Sequence, residues 1–330
     1  MADGTSSKWA GANPSGWAIL RRNPRAMLAL GFTIVVALAS IIVPGFMDPR
    51  LIQPSESVFL PPLTHGSSGL MHLCGTDVNG QDLLYRLLSG ARVSLGIGLV
   101  GALVSLLVGT FYGMISGYLG GKLDEVLMRG VDILYSVPRI LFIMILIAAL
   151  DSQFKDWLDG LRLHAQVQHW TAVESVTKDL LPYSRILVMV LAIGLIEWLT
   201  MARIVRGQVL VLREMTFITA ARAMGQSTWK ILLKHLLPNL TTVILTYLTL
   251  TIPAVILTES FLSFLGLGIE DPAASWGSLL KDGAQVINPI DSKWWLLAFP
   301  AALMSLTLLA LNFLGDGLRD AFDPRSNSGS

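Results

Sequence analysis

Four stretches of this chain carry no charged residue over lengths that a water-soluble core does not need: Ala26–Phe46, Val93–Gly121, Leu236–Thr258 and Trp294–Gly315. A hydrocarbon layer about 30 Å thick is crossed by about 20 residues of helix at about 1.5 Å each. Each run is long enough to do so. Nothing else in the sequence limits the fold as strongly, because backbone N–H and C=O groups in lipid must be satisfied within the element, as a helix does. Two further segments reach the same length with one charge each, Ile133–Leu150 with Arg139 and Ile186–Ala202 with Glu197. The reading is an all-α membrane protein, a polytopic bundle of six transmembrane helices.

Composition agrees. Of 330 residues, 53% are hydrophobic and 14% charged, against about 25% charged in a soluble domain. Mean hydropathy is +0.61. The single cysteine, Cys74, excludes an internal disulfide.

The spans divide the chain into a tail at 1–25, an anchor helix at 26–46, an external loop with an interfacial helix at 47–92, and a core of five spans at 93–315. The core contains an external insertion at 151–185 and a loop at 203–238, and a second tail follows at 316–330. No small-residue cleavage site follows the first apolar run, so it reads as a retained anchor. With the N-terminus placed in the cytoplasm, the inner segments hold 14 Lys and Arg and the longer outer segments hold 9. That bias puts both termini and the 203–238 loop in the cytoplasm.

Two phosphate-binding patterns fail on context. "GIGLVG" at Gly96–Gly101 matches G-x-G-x-x-G but lies inside an uncharged run with no strand before it. "GYLGGKL" has Leu123 where a phosphate loop has Ser or Thr. No catalytic set stands out. His65, His72, His164 and His169 all fall in outer segments and read as ordinary loop residues, with no metal site expected. The glycines have another use: Ser94, Gly98, Ala102, Ser105, Gly109, Gly113 and Gly117 step by three or four along one helical face. Small residues at that spacing let membrane helices approach closely.

Three ionisable residues, Arg139, Glu197 and Glu259, lie in or near spans, where charge is costly and marks either a pathway or a pairing between helices. Glu259 is expected at the outer edge of its span.

The segment "ITAARAMGQSTWKILLKHLLPN", Ile218–Asn239, is basic and lacks acids. It reads as a helix over Glu214–Met224, ended by a left-handed Gly225. A second helix over Thr228–Leu237 follows, N-capped by Ser227 and running into Pro238. Ala220 and Ala221 are read as a bare surface that a groove on another protein could receive.

This segment resembles the cytoplasmic "EAA" loop of ABC-importer permeases, with Ala220, Ala221, Gly225, Leu237 and Pro238 at matching spacing. Thr219 replaces the pattern's Glu, and His235 its Ile. "GTDVNGQDLLYRLLSGARVSL", "ESFLSFLGLG", "SWG" and "LNFLGDGLRDAFDPR" resemble further signatures of the dipeptide, oligopeptide and nickel branch, with Gln81 and Tyr85 departing. The resemblance spans roughly residues 20–325 and implies the C-type permease subunit, with a type I ABC importer permease (MetI-like) fold. It implies four kinds of partner: a second homologous permease, two cytoplasmic ABC ATPase subunits, an extracytoplasmic substrate-binding protein and membrane lipid. No nucleic acid is expected. ATP and Mg would be held by the ATPases, with no cofactor on this chain, which would not itself be an enzyme. Thr219, Ala220, Ala221, Arg222, Gly225, Leu237 and Pro238 would couple it to them. The location implied is the inner (plasma) membrane. Di- and oligopeptides are the expected cargo, because the spans contain no His to hold a bare metal ion. Nickel chelates or other small solutes are the alternative cargo. A self-sufficient secondary transporter or channel using Arg139 and Glu197 is the alternative of a different class.

Overall fold

The computed structural model of the chain describes residues 16–67, 69–269, 273–288 and 291–322. The ends of both sequence-defined tails, 1–15 and 323–330, lie outside these. The described chain is helical apart from its loops and one two-residue hairpin, β1 (Thr64–His65) against β2 (Met71–His72). Five helices are long and apolar enough to cross a membrane: α2 (Pro24–Phe46), α4 (Leu83–Leu119), α8 (Ser184–Leu212), α11 (Leu237–Phe264) and α13 (Trp295–Phe322). The bent pair α5 (Gly121–Ser136) and α6 (Arg139–Val167), whose axes meet at 91°, makes a sixth when the two are counted as one span. Ile133–Leu150 is therefore not one straight span. Proline disfavours the helical conformation of the residue before it, and Val137, extended at φ −83° and ψ 133°, precedes Pro138 at the break.

The remaining helices complete the order: α1 (Gly16–Arg22), α3 (Pro49–Ile52), α7 (Thr171–Leu180), α9 (Thr216–Ala223), α10 (Thr228–Ile231) and α12 (Trp276–Val286). Two ranges differ from the sequence reading. The second span starts at Leu83, because Asp82 accepts from the Tyr85 N–H and caps α4 there. The 151–185 insertion, expected to form a short outer helix or cap, is helical but continuous with the preceding span: the last part of α6 followed by α7.

The small-residue face sets the packing. α4 lies along α8 as its principal neighbour. A Cβ at Gly109 would come within 2.6 Å of Met201, one at Gly113 within 2.5 Å of the Ala202 carbonyl, and one at Gly117 within 2.9 Å of Val209. Farther up, a Cβ at Gly98 would come within 2.5 Å of Ile256 of α11, and Ala102 is buried. "GIGLVG" is thus mid-helix, with Gly98 and Gly101 turned into helix contacts.

Side chains at the two ends of the bundle form separate clusters. At one end, Leu83, Leu87, Leu279 and Trp295 gather α4, α12 and α13 beneath Phe59 and Cys74 of the hairpin loop. At the other, Met114, Val205 and Val209 meet Ile218, Ile231 and Leu236 of the loop after α8. Chain alternation fixes this polarity without reference to a membrane. Arg222 and Gly225 stand at the end opposite the hairpin.

Candidate coupling surface and pathway charges

At the second end, α9 closes with the hydrogen bonds of a Schellman turn: Gln226 N–H to Ala221 O (3.1 Å) and Gly225 N–H to Arg222 O (2.9 Å). Gly225 takes φ +73°, and nothing lies within 4 Å of where its Cβ would be. Backbone conformation, not space, demands glycine here. Ser227 sits in the N-cap conformation but makes no side-chain cap bond. Beyond α10 the helix widens through a π turn at Leu232–Leu236 and passes into α11, with Leu237 and Pro238 in its first turn.

The two alanines do not share a surface, which corrects the sequence reading. Ala220 and Thr219 are exposed. Ala221, 1% exposed, points inward with Ile218 against Met114 and Leu236. What the segment presents outward is larger and more apolar than alanine: Phe217, Met224 and Trp229 are all exposed. Periodicity did not reveal them, since a short helix has too few turns to separate faces. Arg222 holds α9 to α4, with Nε 3.2 Å from the Tyr118 hydroxyl and the guanidinium over that ring. His235 bonds the Gln226 side chain at 2.9 Å across the turn.

A second anchor lies just inside. Arg206 of α8 bonds Asp124 of α5 through two contacts of 2.6 Å, the paired geometry that gives guanidinium–carboxylate bonds their strength and direction. Ser116 also donates to Asp124. The Arg213 guanidinium donates to the Gly117 carbonyl at 3.0 Å. No pattern in the sequence links residues 124 and 206; only the α4–α5 turn brings them together.

Mid-bundle, the structure joins two of the three flagged charges. Arg139 Nη1 lies 2.8 Å from Glu197 Oε1, with Arg139 50% exposed and Glu197 6%. Arg139 Nη2 also approaches the Thr258 hydroxyl at 3.5 Å, tying α6, α8 and α11 at the 91° break. A cavity of about 240 Å³ opens beside them, lined by Tyr135, Pro138 and Thr200 among others. Glu259 lies five residues before the end of α11 at Phe264, towards the hairpin end as expected, but it does not face outward. It is fully buried, and Ser94 (3.1 Å), Ser260 (3.2 Å) and Ser263 (2.7 Å) donate to its carboxylate. Ser94 also accepts from the Trp276 N–H, so α4, α11 and α12 meet at this carboxylate. The "FLGLG" glycine Gly266, at φ +84°, ends α11 with the same turn as Gly225.

At the hairpin end, "GTDVNGQD" folds into a cap on α4. Asp77 accepts from the Asn79 and Gln81 N–H groups and lies 3.2 Å from Arg86. His72 is not an ordinary loop residue: it is buried 2.9 Å from Asp82. Among the described residues, no three His, Cys, Asp or Glu side chains converge as a metal site would require. A larger cavity, about 530 Å³, opens at this end between Arg92, Lys155 and Arg185.

Residues 109–328 match the family model described as "Binding-protein-dependent transport system inner membrane component". The oligopeptide transport system permease protein of Haemophilus influenzae is 42% identical over 254 residues, covering 77% of this chain and 70% of that protein. The dipeptide permease protein of Bacillus subtilis is 37% identical over 311 residues (94% and 84%). The oligopeptide permease protein of Escherichia coli is 40% identical over 313 residues (94% and 91%). Among solved structures, the MetNI methionine ABC transporter, in inward-facing conformations, aligns with a TM-score of 0.50 at 20% identity. That alignment covers 73% of this chain and 98% of the other, and it supports the fold.

Proposed function

Because this chain belongs to the family of binding-protein-dependent transport system inner membrane components, we propose that it is the permease subunit of an ATP-driven importer of di- and oligopeptides. It spans the membrane several times. In this reading the chain lies in the inner membrane of the cell, with its termini and α9–α10 on the cytoplasmic side. It works beside a second homologous permease, two ATPase subunits that hold ATP and Mg, and an external substrate-binding protein. The chain itself carries out no chemistry. The peptide cargo is supported by the names of its relatives, which are oligopeptide and dipeptide permeases.

One observation carries the coupling step. α9 is a two-turn helix pinned by Gly225 and by Arg222 on Tyr118, and it and α10 hold Phe217, Met224 and Trp229 out at one end of an apolar bundle. Exposed apolar clusters of that kind mark contact surfaces. Its inner face is packed into the cluster of Met114, Val205 and Leu236, so displacement of α9 moves the ends of α4, α8 and α11 together. A nucleotide-driven movement of the ATPases shifts the transporter between its states only if they hold α9 differently in each.

The test is contact. In a Cys74→Ser background, an Ala220→Cys chain in the purified complex is expected to cross-link to an ATPase subunit through a short thiol-to-amine cross-linker. A cysteine at Leu73, at the hairpin end, is expected not to. Cross-linking from Leu73→Cys and none from Ala220→Cys would overturn the assignment.

A further inference from the structure

The exposed face of α5 is divided lengthwise. One stripe is polar: Glu125, Arg129, Asp132 and Ser136, spaced by four, three and four residues, lead to Arg139 beyond the break. The neighbouring stripe is apolar, with Leu123, Val126 and Ile133 all exposed. The polar stripe is not isolated. Asp132 lies 2.6 Å from Arg203 of α8, and Arg203 covers the Tyr135 ring at 3.9 Å. Tyr135 shares a 2.5 Å hydrogen bond with Thr200. Glu125 and Arg129 pair at 2.6 Å, and Arg139 and Glu197 at 2.8 Å. Three cations and three carboxylates therefore form a ladder of closed pairs. It climbs from the coupling end to Glu197, 15 residues before the end of α8 at Leu212, a rise of about 22 Å at about 1.5 Å per residue.

That depth makes the exposure informative. Ionisable side chains at such a level do not face lipid; they face protein or water-filled space. The side chain of Arg139, paired with Glu197 at that depth, is 50% exposed on this chain, and those of Arg129 and Asp132, nearer the coupling end of α5, are 74% and 65% exposed. The apolar stripe beside them meets no such objection.

We infer that the ladder on α5 and α8 is the inward wall of the cargo pathway, and that its paired charges suit a zwitterionic cargo whose net charge varies. Each fixed charge on the wall already has its counter-charge within 2.8 Å, so no single cation or carboxylate holds back a passing ion. The cavity at the break, where Arg139 remains half exposed, is the ladder's upper end. The inference rests on the permease reading and adds to it which helix faces are wetted and why.

The test uses single cysteines at Asp132, Ser136 and Thr200 on the ladder and at Val126 and Ile133 on the apolar stripe. All are placed in a Cys74→Ser chain assembled with its partners, and the probe is a small cationic methanethiosulfonate. The ladder positions are expected to react at least about tenfold faster than the apolar pair, since such reagents need thiolate and a lipid-facing thiol is suppressed by a pKa unit or more. No reaction at either set would mean that protein covers the ladder. Equal reaction at both would place α5 in bulk water. Either result overturns the inference. Whether ATPase subunits co-purify with the chain is read separately and bears on the permease assignment alone.

A second readout follows cargo. Asp132→Asn leaves Arg203 without that counter-charge. The ratio of acidic to neutral peptide uptake, at saturating binding protein, is expected to rise about fivefold relative to the parent, the effect of removing one unit negative charge at about 4 Å in water. An unchanged ratio would show that cargo does not pass along this wall.

Discussion

Ala220 and Ala221 are adjacent and identical, yet they have opposite surroundings. An Ala221→Glu substitution places a carboxylate among Met114, Ile218 and Leu236, and an unpaired buried charge costs several kcal/mol. Ala220→Glu adds a charge to an exposed surface. The expected outcome is that Ala221→Glu chains are lost from the membrane fraction, whereas Ala220→Glu chains accumulate normally but no longer retain ATPase subunits. Quantifying both on the same blot checks the contrast. Gly113→Leu is a second test at this scale. With the Ala202 carbonyl 2.5 Å from its would-be Cβ, overpacking by about 1–3 kcal/mol is expected. The thermal unfolding temperature should fall clearly, while Gly31→Leu, at a position open to its surroundings, should leave it unchanged.

Among elements, legibility followed periodicity. The uncharged runs correspond to α2, α4, α11 and α13, and the small-residue stripe is the α4 face turned to α8 and α11. Both signals repeat along many turns, so single exceptions do not blur them. The α5–α6 break was hidden because, over the length of a span, the apolar residues on either side outweigh Tyr135, Ser136, Pro138 and Arg139. Its local signal was the proline, whose effect on the preceding residue is steric and leaves no trace in apolar content. The long-range partners of Arg139, Glu197 and Glu259 were illegible for another reason: they are 58, 58 and 165 residues distant in the chain (Glu197, Arg139, Ser94), although Ser260 and Ser263 are local to Glu259. At this scale, deleting Lys155–Asp179 removes the upper part of α6 and nearly all of α7. The expected result is a complex that still assembles through α4, α8 and α9 but imports cargo poorly. Uptake equal to the parent would make that helical extension dispensable.

At the scale of the whole molecule, the two ends are chemically distinct: a hairpin cap built on Asp77, Asp82 and Arg86 at one, and α9–α10 at the other. The excess of Lys and Arg on the α9 side sets the expected orientation. A membrane-impermeant thiol reagent added to intact cells should label Cys74 and not a cysteine placed at Ser227. Burial, and to a lesser degree the nearby Asp82 charge, pushes the Cys74 thiol above its ordinary range. Less of it is thiolate at neutral pH, so its labelling rate should keep rising at alkaline pH after that of a free thiol has levelled off. Labelling of Ser227→Cys in intact cells would invert the orientation.

The central claim is that this chain passes peptides across the membrane at the expense of ATP hydrolysed by its partners. Its most direct test is accumulation of a labelled oligopeptide in vesicles containing the assembled complex and binding protein. Either ATP or an imposed proton gradient is supplied as the energy source. Accumulation with ATP alone, abolished by omitting the binding protein and by Ala220→Glu in α9, is the predicted result. Accumulation driven by the proton gradient without ATP, and indifferent to Ala220→Glu, would contradict it.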